Sequence, residues 1–186
     1  MELIGLYFVA AGLLVGAGVA KTIRPGDTAR ALGSVPGLNR VSARLLQQAT
    51  RVGAAAEVVL GLAALVAPGP LTAGLVSASY ILFAAVTAFV RIRGGALSSC
   101  GCFGRADTPA SWLHVVLNLV LAVAAAVVAT STSGTTTTFG FLAHQPWAGV
   151  PLIFASAVGV WLTYLAMAAL PALEGQVRHL GRVRSS

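Results

Sequence analysis

The chain has 186 residues, of which 57% are hydrophobic and 9% charged, with a formal net charge of +7. An average soluble domain carries about 25% charged residues. The composition therefore excludes an ordinary soluble globule, a disordered tail, a coiled coil, a collagen-like fibre and a disulfide-rich secreted scaffold. A mean hydropathy of +0.87 points to lipid.

Five apolar stretches follow one another along the chain: Leu3–Ala20, Val52–Ala67, Leu71–Val90, Trp112–Ala129 and Val150–Leu170. Crossing a hydrocarbon core about 30 Å thick takes about 20 helical residues. Four stretches have 18 to 21 residues, and the second, with 16, gains its missing turn if the helix starts near Ser42. The pattern predicts an all-α polytopic membrane helical bundle in one domain. The first stretch reads as a retained helix rather than a signal peptide. Only Met1 and Glu2 precede it, and no small-x-small site leads into a polar domain.

Between the first two spans, Pro25-Gly26-Asp27 ends the helix, and Thr28–Leu32 suits a short amphipathic turn on the membrane surface. Pro36-Gly37-Leu38-Asn39 reads as a turn, with Asn39 as the N-cap of a helix beginning near Arg40. Ala67-Pro68-Gly69-Pro70 is short enough only for an antiparallel hairpin. Gly94, Gly95, Gly101 and Gly104 make Arg91–Ser111 a flexible or tightly folded connection. Residues 131–149 read as an external loop rich in serine, threonine and glycine, with Trp147 as an interfacial anchor. Residues 150–171 form the fifth span and 172–186 a basic cytoplasmic tail.

The basic residues fall in three places. Lys21, Arg24, Arg30, Arg40, Arg44 and Arg51 lie between the first and second spans, Arg91, Arg93 and Arg105 between the third and fourth, and Arg178, Arg182 and Arg184 in the tail. The other two connections carry none, which is the positive-inside signature: N-terminus outside, C-terminus in the cytoplasm. A basic face with readout chemistry is missing, so nucleic acid is not an expected partner. Arginine in place of lysine, with abundant alanine and glycine, suggests a bacterial chain and so a multi-pass protein of the inner membrane.

Few residues carry chemistry. Cys100-Gly101-Cys102 holds the only two cysteines, between the third and fourth spans. Thiols one residue apart can close a strained, exchangeable disulfide or share a soft metal ion. Nearby Arg91, Arg93 and Arg105 favour thiolate; the bland alternative is two small loop residues without a role. Glu57 is the one acidic residue inside a span, at a cost of about 2.5–3.5 kcal/mol on insertion scales. It is either a functional carboxylate or a protonated hydrogen-bond donor between helices. His114 and Asn118, four apart, share a face near the start of the fourth helix. Hydrogen bonding between helices would be role enough for them. Together, however, these groups gather at one end of the bundle. Tyr80, Trp161 and Tyr164 read as packing residues, and His144 and His179 as loop and tail.

The chain resembles the MauE-type methylamine-utilisation membrane proteins, within the wider DoxX-like superfamily of small helical bundles. The resemblance rests on Lys21 with Pro25, on Glu57 followed by Leu60-Gly61-Leu62, on Cys100-Gly101-Cys102-Phe103-Gly104, and on Trp112 with Asn118. It covers residues 1–130 as a four-helix core; the fifth helix and the tail lie beyond it. The family's usual Arg-Asn pair reads Leu117-Asn118 here, so no role attaches to that arginine. The resemblance implies thiol–disulfide metabolism, with Cys100 and Cys102 as the redox pair and Glu57, His114 and Asn118 as a polar pocket beneath them. It also implies a thioredoxin-like partner, and a lipid-soluble quinone is the electron acceptor that the lipid setting suggests. The alternatives are a non-catalytic accessory subunit of a larger membrane redox complex, or a binder of copper(I), zinc or mercury through Cys100, Cys102 and His114. The charge pattern puts the cysteine pair on the cytoplasmic side, where thiols are normally kept reduced. The glycines around it would permit a re-entrant loop.

Overall fold

A computed structural model describes residues 2–33, 40–92, 112–131, 151 and 154–165, all but a few of them helical. Helix α1 spans Glu2–Ile23 and α2 spans Pro25–Gly33. The break between them falls at Arg24, whose N–H still reaches the Ala20 carbonyl at 3.0 Å. Pro25 has no N–H to continue that ladder and suits a first helical position, so α1 stops and α2 starts there. The expected surface turn is thus a nine-residue helix.

Helix α3 spans Ala43–Val66 and begins one residue after Ser42, as its length as a span requires. Ser42 is extended, and its hydroxyl accepts from the Leu45 N–H at 3.4 Å. The N-cap is therefore Ser42 and not Asn39, because Arg40 and Val41 lie ahead of the helix in non-helical backbone. Helix α4 spans Pro70–Ile92. At the tight turn into it, the Gly69 N–H donates to Thr72 Oγ1 at 3.0 Å, a neutral cap that closes the predicted hairpin. Helix α5 spans Trp112–Ser131, and a shorter apolar helix, α6, covers Phe154–Leu165. The rest of the expected fifth span lies outside the described residues, apart from Pro151.

Four described helices, α1, α3, α4 and α5, are long and apolar enough to cross a membrane. They pack in a ring, α1 on α3, α3 on α4, α4 on α5 and α5 on α1, with α2 lying against α3. Tyr7, Leu14, Val76 and Ala125 are among the side chains filling the centre. Val59, Leu71, Ile81, Leu82 and Val123 face outward. In water such a surface would be an aggregation hazard, whereas in a bilayer it is the lipid-facing side.

The α1–α3 seam is a close one. A Cβ on Gly18 would come within 2.7 Å of the Ala54 carbonyl oxygen, and one on Gly61 within 2.8 Å of the Ala11 carbonyl oxygen. Small residues let backbones approach in this way, which is how membrane helices gain dispersion energy in the absence of a hydrophobic drive between them. Both contacts give one antiparallel register, in which Ile23 at the end of α1 lies level with Arg51 of α3. On another face of α1, a Cβ on Gly12 would meet Val160 at 2.8 Å and one on Gly159 would meet Val9 at 2.7 Å, which seats α6.

Candidate functional site

The apolar run of α1 ends at Ala20, but the helix does not, because its end is set by Pro25. Lys21 therefore belongs to the last turn of α1 and is 8% exposed. This corrects its reading as a loop charge. A helical side chain leans toward its own N-terminus. In an antiparallel pair, Lys21 thus leans into the bundle while Glu57, one turn deeper on α3, leans outward to meet it. Lys21 Nζ donates to both carboxylate oxygens of Glu57, at 2.7 and 2.8 Å. The two side chains are 11% and 15% exposed, so they form a nearly enclosed ion pair.

The surroundings of the pair come from α1 and α4. Nζ sits 4.8 Å from the centroid of the Phe83 ring, a cation–π contact that adds to its pairing with Glu57. One turn before Phe83, Tyr80 is buried and donates to the Ala10 carbonyl at 2.7 Å, fixing α4 against α1. The two rings meet edge to face. Tyr80 is therefore a packing residue with its polar tip satisfied, as its position within an apolar run suggests.

Across the bundle, His114 and Asn118 are 3% and 5% exposed, on the inward face of α5 in its first two turns. Ser77 of α4 donates to the Ala122 carbonyl at 2.9 Å, joining α4 to α5. Successive membrane-spanning helices alternate in direction, which puts His114 at the same end as Lys21. Among the described residues, α3 reaches α5 mainly through α1 and α4 and not as a neighbour. The structure thus brings Glu57 to Lys21 on one seam and His114 with Asn118 to another seam of the same end. Cys100 and Cys102 lie outside the described residues, as do His144 and His179. Among the described residues there is no group of three or more histidine, cysteine or acidic side chains that could hold a metal ion.

Residues 2–131 match the family model described as Methylamine utilisation protein MauE. The chain belongs to the MauE family. The match ends at Ser131, the last residue of α5, so the MauE unit is the ring of helices with the short α2, and α6 lies beyond it. No curated protein and no solved structure matches the chain. Family and fold together make it a multi-pass membrane protein of the methylamine-utilisation MauE type.

Sequence reasoning found Glu57 but missed its partner and the Phe83 ring. The signal was available, since a carboxylate inside a membrane span calls for a cation. Lys21 is the only lysine in a chain that otherwise uses arginine, and it stands at the same end of the bundle.

Proposed function

We propose that this protein is an integral membrane thiol–disulfide redox protein that works through Cys100 and Cys102, with a thioredoxin-like partner and a lipid-soluble quinone as its two redox neighbours. The observation that supports this most is the enclosed Lys21–Glu57 pair at one end of the bundle. Helix α4 ends at Ile92 and α5 begins at Trp112 at that same end, so the connection carrying the two thiols departs from it and returns to it. Ionisable groups inside a membrane bundle cost energy and usually mark proton or ion chemistry.

The exchange balances in two steps. A partner thiolate attacks the Cys100–Cys102 disulfide, forming a mixed disulfide and releasing one of the pair as thiolate. The partner's second thiolate then displaces the other, leaving an oxidised partner and a reduced Cys100–Cys102 pair, two electrons richer. Reoxidation passes those two electrons, with two protons, to the quinone, giving the quinol. Glu57 and His114 are the groups that would carry the protons, with Lys21 holding the Glu57 carboxylate in place.

Thiol trapping in intact cells tests this reading, comparing a membrane-impermeant maleimide with a permeant one, before and after mild reductant. The expected result is a pair trapped as a disulfide that opens with reductant and re-forms on its removal. Protection from the impermeant reagent would further support the inward orientation of the cysteine segment. Two thiols that label at once and never close, or a Cys100→Ser/Cys102→Ser protein that supports function fully, would turn the reading toward an accessory subunit.

A further inference from the structure

In the α1–α3 register, α1 is already spent at Ile23 when α3 has reached Arg51. Residues Ala43–Thr50 of α3 therefore project about 12 Å past the end of α1, at 1.5 Å per residue. Helix α2 folds back against this projection: Pro25, Ala29, Leu46 and Thr50 are buried, and Leu46 Cδ1 lies 3.5 Å from where a Cβ on Gly33 would be. The result is a small platform at one end of the bundle, built outside the four-helix ring.

The outer surface of that platform has an unusual mixture. Arg24, Arg30, Arg40, Arg44 and Arg51 are all exposed. Interspersed among them are exposed apolar side chains: Ile23 at 72%, Leu45 at 56% and Val52 at 72%. Lys21 contributes no free charge, since Glu57 neutralises it. The one acidic residue from 21 to 51 is Asp27. A surface facing only water would not carry those aliphatic groups, and one facing only acyl chains would not carry five guanidinium groups.

We infer that α2 and the first turns of α3 form a headgroup-layer platform that binds anionic glycerophospholipid. Its arginines engage the phosphate, and Ile23, Leu45 and Val52 enter the top of the acyl region. Guanidinium is suited to this role because it meets phosphate oxygens with two parallel N–H donors. Clusters of four or more basic residues directly beside a membrane helix favour anionic lipid, each worth about 1 kcal/mol near the surface. The platform is independent of the thiol chemistry and would stand if that reading failed.

The test uses the full-length protein in neutral detergent, titrated with phosphatidylglycerol or with phosphatidylcholine of the same acyl chains, with bound lipid read by native mass spectrometry. The expected result is at least about tenfold tighter retention of phosphatidylglycerol, from several arginines at roughly fivefold each. An Arg24→Gln/Arg44→Gln/Arg51→Gln protein should lose most of that preference while binding phosphatidylcholine unchanged. The corresponding triple lysine variant keeps the charge and should retain a clear preference, which separates lost binding from lost fold. Millimolar inorganic phosphate should leave the lipid bound. Equal retention of the two lipids, a glutamine variant that behaves as wild type, or displacement by free phosphate would each overturn the assignment.

Discussion

The α1–α3–α4 contact is tied at both ends of the bundle, but with different chemistry. At the hairpin end, the Tyr7 hydroxyl lies 3.4 Å from the Ala64 carbonyl and 3.3 Å from Thr72 Oγ1, linking α1 to α3 and α4 with neutral groups. At the opposite end the same three helices meet through Lys21, Glu57 and Phe83, with an ion pair at 2.7 Å. The hairpin end shows that neutral hydrogen bonds suffice to fasten these helices. A buried ion pair is seldom the cheapest way to gain stability, since desolvating two charges offsets much of their attraction. The pair at the other end therefore calls for a reason beyond packing, and proton handling beside the thiol-bearing connection is the reason proposed above.

The largest effect should come from breaking that pair on one side only. Lys21→Met leaves the Glu57 carboxylate enclosed without a cation, and Glu57→Leu leaves the Lys21 ammonium with only the Phe83 ring. Each should cost about 3 kcal/mol, the lower end for a one-sided break of a buried pair, because both groups keep slight exposure. The double variant should recover much of that loss, since two apolar side chains of similar size leave no charge behind. Thermal unfolding of the four proteins in one detergent gives the cycle. If the double variant is as unstable as the sum of the singles, the two side chains are not coupled and the enclosed pair explains neither loss. If it is stable but its cysteines no longer cycle, stability and function separate at this end of the molecule.

A smaller loss is expected from the α1–α3 seam, which both ends share. Gly61→Ala puts a Cβ 2.8 Å from the Ala11 carbonyl oxygen and 2.6 Å from Val15 Cγ2. Backbone cannot rotate away as a side chain can, so the helices must separate, at about 1–3 kcal/mol for overpacking. Gly16→Ala on α1 is the control: nothing lies within 4 Å of its Cβ, and alanine should gain up to about 1 kcal/mol from helix propensity. Opposite signs for these two substitutions would confirm that the seam depends on close approach. A loss at Gly16 as large as that at Gly61 would rule this explanation out.

The four long helices were legible because a span announces itself by length and apolarity. The short hairpin was legible because Pro68 and Pro70 leave room for nothing else. Two details escaped for a common reason. Reading the helix end from the apolar run put Lys21 in a loop, and reading the helix start from the turn residues put the cap at Asn39. Both ends are set by how backbone N–H groups are satisfied, through the missing N–H of Pro25 and the side-chain hydroxyl of Ser42 that accepts from Leu45, and the apolar pattern does not report those. Glu57 was visible alone as a misplaced charge. Its partner lies 36 residues away, and only the antiparallel register of α1 and α3 brings the two together. The cysteine motif is the reverse case, plain in the sequence but outside the described residues.

The smallest effect belongs to the hairpin end. Tyr7→Phe keeps the ring, which is fully buried, and removes only the hydroxyl. The Thr72 hydroxyl retains partners in the Gly69 N–H and the Gly69 carbonyl, but the buried Ala64 carbonyl loses its donor, because the residue four places on is Pro68, which has no N–H. Hydrogen bonds between membrane helices average about 0.6 kcal/mol and reach about 1.7. Both contacts here are long but one leaves a buried carbonyl without a donor, so the loss should fall between those values. Thermal unfolding beside Lys21→Met would then show a difference of about twofold or more between two ties that join the same three helices. A Tyr7→Phe loss near 3 kcal/mol would erase the contrast. It would mean that the neutral end holds the bundle together as firmly as the ionic one, so that the cost of breaking the Lys21–Glu57 pair would no longer set that end apart.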